Sequence, residues 1–316
     1  MKRILPACLA LLALAPRPAA ALDPIPEWYD RPAAERFAPR QAPVPARFDR
    51  PASERFARPV PDRYEPGLGE GTLPVVLALW PGVQFGYVQD DVSLLRFGLF
   101  GSQNHNVSLL DFNLLYGRAN GAESALQAGA VNVADGPLTG AQLGLLNVSG
   151  VLEGCRSTGV QLGLLGNYSG SLTGAQAGLL LNRAATGAGI QLAAACNFSD
   201  RFRGIQLAGV NLDGDDIRGA QLGLVNVGAK RFAGVQFGLL NSSQGDFSGA
   251  QLGLVNTAKR LGGGLQLGAA NFAGEAAGWQ VGLYNSARTL RGAQLGLLNV
   301  VSTADLPVLP LLRVSF

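Results

Sequence analysis

The side chains in this chain that could do chemistry are few, and most of them occupy one recurring position. There is one histidine, His105, and there are three cysteines, Cys8, Cys155 and Cys196. None of these stands near partners at the spacing of a nucleophile and its base, or of a ligand set for a metal or cofactor. The reading is therefore of a protein that is not an enzyme and takes no cofactor. Asp213-Gly214-Asp215-Asp216 has the carboxylate density to hold Ca²⁺, the one weak metal candidate. The same four residues also describe an ordinary solvated turn.

The recurring position is a glutamine. It falls at 127, 142, 161, 176, 191, 206, 221, 236, 251, 266, 280 and 294, mostly 15 residues apart, with one step of 19 and two of 14. Gln84 supplies an earlier copy, and Arg313 faces the same way in the closing segment. Two copies carry a charge instead, Arg96 and Asp111. A glutamine offers two donors and an acceptor, so a stack of them satisfies itself as a ladder or forms a polar constriction that passes small neutral solutes. Gln84, Gln127, Gln142, Gln221 and Gln251, with Arg96, Asp111 and Arg313, are accordingly the candidates for a lumen or pore. Arg96 and Asp111 read either as a buried ion pair, which often yields little net stability, or as the charged spot of that pore.

These residues need an element to hold them, and the repeat predicts a β-strand. Arg218-Gly219-Ala220-Gln221-Leu222-Gly223-Leu224-Val225-Asn226 is the clearest copy. In Phe247–Asn256 one face carries Ser248, Ala250, Leu252, Leu254 and Asn256, and the other Phe247, Gly249, Gln251, Gly253 and Val255. That alternation has the period of a strand. A helix would lose roughly 1 kcal/mol at each of the two glycines. Charges fall between copies, alternating acidic and basic from residue 213 onward.

Two all-β architectures fit a ten-residue strand and a five-residue turn. One is an antiparallel up-and-down meander closed into an outer-membrane-type barrel of about 16 strands, a closed-barrel geometry with an even strand number. The other is a parallel β-solenoid with one coil per ~15 residues, a period typical of stacked repeats. The barrel is expected on four grounds. Gly-x-Gln-x-Gly is palindromic about its Gln. The turn charges alternate, although stacked solenoid coils would want the same. The chain closes on Leu312-Arg313-Val314-Ser315-Phe316, an ending that resembles the C-terminal signal of outer-membrane barrels. The copies number sixteen. Ten tilted residues would also span roughly 25 Å, the height of the apolar band. In that arrangement Leu faces lipid and Gln the interior, and closure sets Arg313 beside Gln84.

Bulk composition agrees with a repeat architecture. The 316 residues include 43 Gly, are 15% charged and carry a net charge of +3, too little to imply nucleic acid. Residues 1–21, with Met1-Lys2-Arg3, an apolar run Ile4–Ala15 and small residues to Ala21, read as a signal peptide. Residues 22–72 are Pro/Arg-rich, with Asp30–Ala38 echoed at Asp49–Ala57, and read as a disordered tether. It would serve as a spacer or hold a cell-wall or periplasmic partner. Residues 73–316 form the repeat β domain. Cys155 and Cys196, falling at opposite ends of their strands, are not expected to be bonded to each other.

The wording Gly-x-Gln-Leu-Gly-Leu-Val-Asn, with Leu110-Asp111-Phe112-Asn113-Leu114-Leu115-Tyr116-Gly117-Arg118 before it, resembles the bacterial surface-repeat proteins of leptospires and other Gram-negative species. The resemblance covers about residues 82 to 300. It implies a cell-surface location and no agreed activity; outer-membrane lipid is the neighbour expected of the barrel's leucine face. The tether is not part of it.

Overall fold

The computed structural model describes residues 71–228 and 230–315; the expected signal peptide and nearly all of the tether lie outside them. Every element is a β-strand, and the twenty strands join in one sheet. From Asp91 to Val301 each coil pairs with the next in the same direction. Gln236, for instance, aligns with Gln221 before it and Gln251 after it, and Asn241 with Asn226 and Asn256. This is a parallel β-solenoid, and the antiparallel barrel expectation is corrected here. Arg96, Asp111 and the twelve glutamines stack in one column. At ~4.8 Å per coil that column runs about 65 Å.

The Gly-x-Gln-x-Gly palindrome has a different cause from the one its symmetry suggests. Its two glycines play unlike parts. The first turns a corner at positive φ, +135° at Gly219 and +143° at Gly234, where a side chain would strike the carbonyl of the glycine one coil below. The second, as at Gly238, leaves room for the Nδ2 of Asn226 and the carbonyl of Gly223. Alternation of side chains cannot separate parallel from antiparallel pairing. The backbone at the corners does.

The interior holds four kinds of column. Gln and Asn each occupy one. Small residues such as Ser199, Gly228, Ser243 and Ala258 fill a third. Bulky groups fill the fourth: Phe202, Ile217, Phe232, Phe247 and Leu261 are all buried, with the rings of Phe232 and Phe247 stacked at 5.3 Å. Asn256, expected on the leucine face, points inward with the glutamines. The alternating charges also stack: Arg201, Asp216, Arg231, Asp246, Arg260 and Glu275 follow one another in register. Opposite signs on adjacent strands relieve the repulsion that a uniform column would suffer.

Both ends reverse direction. Val83–Gln84 turns back on Thr72–Trp80, and Val308–Ser315 runs antiparallel to Gly292–Val301. Such capping segments occupy edges that would otherwise recruit another strand. Gln84 and Arg313 therefore sit in opposite caps and not side by side.

Candidate functional site

The glutamine column is continuous. Each Gln from 142 to 294 donates Nε2–H to the Oε1 of the one before it, at 2.7–2.9 Å. The second N–H commonly reaches a backbone carbonyl, as from Gln251 to Thr257 at 3.1 Å. The asparagine column runs the other way, each Asn donating Nδ2–H to the next at 2.8–3.1 Å. Gln127, Gln142, Gln221 and Gln251 are all buried, so this column lines no lumen. Amide ladders of this kind are structural.

Arg96 and Asp111 start the glutamine column. The guanidinium donates twice to the carboxylate, Nε to Oδ1 at 2.7 Å and Nη2 to Oδ2 at 2.5 Å. Nη1 donates to the carbonyl of Arg118 at 2.7 Å, and Gln127 donates to Asp111 Oδ2 at 2.8 Å. Both residues are wholly buried. Burial works against the Arg96 charge, but Asp111 outweighs it and the guanidinium ends with a raised pKa. Of the two readings, the geometry matches the buried ion pair.

Glu123 was not foreseen. It stands in the bulky column between Val107 and Leu138, fully buried, with neither carboxylate oxygen hydrogen-bonded among the described residues. Burial, and then Asp111, push its carboxyl well above the ordinary range. The only sequence signal was a charge four residues before a Gln, where neighbouring copies carry Val107 and Leu138.

At the other end, Arg313 aligns with Gln294 and donates to the carbonyls of Leu306 and Pro307, at 2.8 and 3.2 Å. Gln84 lies in the N-terminal hairpin and is within 3.5 Å of the Gln103 amide. Neither meets the Arg96 pair. His105 is a quarter exposed and contacts Asp91 at 3.1 Å. Cys155 carries a free, buried thiol, so the two later cysteines are not bonded to each other; burial pushes that thiol up and away from thiolate chemistry.

The three aspartates of the Ca²⁺ candidate do not converge. Asp215 pairs with Lys230 at 2.7 Å, and Asp216 lies 3.5 Å from Arg231 and 3.6 Å from Arg218. Asp213 turns inward, accepting from Gln206 at 3.1 Å and from Gln221. It occupies the small column between Ser199 and Gly228. Burial raises its pKa to about 7, against the Gln bonds that lower it. An unfolded aspartate ionises near 3.9, so the folded chain holds an extra proton between those values. Stability is then lost as pH rises from about 4 to about 7. Asp213→Ser, matching Ser199 and Ser243, is expected to stabilise by on the order of 2 kcal/mol at pH 8 and to change little at pH 4. That figure is about half the full linkage value, since the carboxylate keeps some solvent. Denaturant melts at the two pH values check it.

The largest feature lies outside. In every coil the six positions from the residue before Gln to the fourth after it carry no outward charge, as in Val235-Gln236-Phe237-Gly238-Leu239-Leu240. Leu224, Leu239, Leu254, Leu283 and Leu297 are each half exposed or more. Backbone groups along this arc are paired between coils, as from Leu239 to Leu224 at 2.9 Å and from Leu254 to Leu239 at 3.0 Å. Six residues by about 65 Å make roughly 1,300 Å², against the ~300–600 Å² of the largest apolar patch on a typical monomer.

Buried amide columns, an apolar outer arc and a charged opposite arc define this chain as a β-solenoid repeat protein. Comparison with protein-family models, curated proteins and solved structures returns no match.

Proposed function

We propose that this protein is a non-enzymatic binding module of the cell surface, whose uncharged arc lies against the apolar boundary of a lipid layer. The observation that carries the reading is the unbroken charge-free arc from Phe97 to Leu298, with exposed apolar side chains in every coil but that of Gln127, where they are half-buried. Its backbone polar groups are already paired, which is what contact with hydrocarbon demands. The charged arc is left to face water, the arrangement of an interfacial amphipathic element. The mode differs from a barrel, since the sheet rests on the layer with one side and crosses nothing.

Flotation of the chain with neutral phosphatidylcholine vesicles tests this. Wild type is expected to rise with the vesicles, and Leu224→Glu/Leu239→Glu/Leu254→Glu to stay at the bottom while keeping its β spectrum. Wild type that stays down and sediments as a dimer would overturn the lipid reading and assign the arc to a second copy.

A further inference from the structure

The charged arc breaks its own rule at one place. Elsewhere opposite signs alternate from coil to coil, but Arg203 and Arg218 stand directly in register on adjacent strands. Arg201, one residue pair away on the same strand, aligns with Asp216. Arg156 joins them around a concave cleft of about 430 Å³. Its floor is Leu172, Gly187 and Phe202, and its walls include Ser171, Thr173 and Thr186.

Four guanidiniums therefore face one carboxylate, and that carboxylate is shared. Asp216 lies within 3.5–3.6 Å of both Arg231 and Arg218. Arg156, Arg201 and Arg203 take part in no ion pair among the described residues. Like charges in register on neighbouring strands are destabilising, so the cluster favours a counter-anion. The larger groove beside it, of about 920 Å³, is different. There three carboxylates, Asp216, Asp246 and Glu275, face Arg218, Arg231, Arg260 and Arg291, and Arg260 is bonded to Asp246.

We infer that this cleft binds a linear polyanion carrying tetrahedral oxyanions, sulfate or phosphate groups, along the solenoid axis. Guanidinium forks bond such oxygens in pairs. The hydroxyls of Ser171, Thr173 and Thr186 add neutral donors. Thr186 aligns with Ser171 on one side and Arg201 on the other, so the basic groups are spread along the axis. Three coils separate Ser171 from Asp216, roughly 14 Å, which suits an extended chain better than a single ion. The site uses none of the apolar arc, so it stands whether or not the lipid reading does.

The fold supplies its own conservative replacements. Thr186 is Arg201's neighbour in register, and Ala188 is Arg203's. Calorimetric titration of Arg201→Thr/Arg203→Ala with a heparin-derived hexasaccharide and with short polyphosphate is the test. Wild type is expected to bind at least one of them with 1:1 stoichiometry. The double variant should lose tenfold or more in affinity, and Arg288→Ala, outside the cleft, should lose less than twofold. Preference between the two probes assigns the oxyanion as sulfate or phosphate. The inference fails if neither binds, if Arg288→Ala loses as much as the double variant, or if a uronate hexamer, carrying carboxylates alone, binds as tightly.

Discussion

Arg96→Met is expected to lower stability by about 3–5 kcal/mol, because it strands Asp111 in an interior from which water is excluded. The carboxylate would keep Gln127 and Asn113 as donors but lose both guanidinium bonds. Glu123 beside it would add repulsion whenever ionised. The pair occupies glutamine positions, which supplies the informative second variant. Arg96→Gln/Asp111→Gln extends the amide column by two residues and buries no charge, so it should recover most of the loss. Urea denaturation of the three proteins decides the matter. A double variant as unstable as Arg96→Met would mean that the N-terminal coils depend on the ion pair itself and not on completion of the column.

The second large effect is expected at a corner. Gly234→Ala should cost about 3 kcal/mol or more, combining an unfavourable left-handed backbone with overlap between the new methyl and the carbonyl of Gly219. Gly262→Ala is the control. Its methyl would find the nearest atom, the Phe247 carbonyl oxygen, at an ordinary 3.8 Å. There the loss of backbone freedom in the unfolded chain favours the variant by about 0.5 kcal/mol. Equal midpoints for the two variants in thermal melts would contradict the corner assignment.

These two cases show what could be read in advance. Strand character, the separation of Leu from Gln, and the adjacency of Arg96 and Asp111 all follow from side-chain period and repeat length, and all are present in the structure. Strand direction does not follow from them, because a two-residue period is the same whichever way the neighbour runs. The evenly spaced charges offered a usable hint, since Arg231, Asp246, Arg260 and Glu275 alternate as stacked coils require. An asparagine at a strand end suggests a side chain that satisfies turn backbone, as Asn241 and its equivalents could. They do reach carbonyls, as Asn241 does to Leu252 at 3.0 Å, but they also form a second column that only parallel stacking creates. The arginine cleft was invisible for a like reason. Arg156 and Arg201 are 45 residues apart in sequence and come to one cleft with only two coils, those of Ser171 and Thr186, between them.

The two amide columns point in opposite directions, and every coil from Gln127 to Gln294 contributes one glutamine and one asparagine to them. Their polarities oppose along the axis, so lengthening the rod builds up little field between its ends. One further copy inserted between Gly228 and Arg231 would ask nothing new of either terminus. The molecule is in this sense a ruler whose graduations are interchangeable, able to gain or lose about 4.8 Å at a time while its caps stay the same.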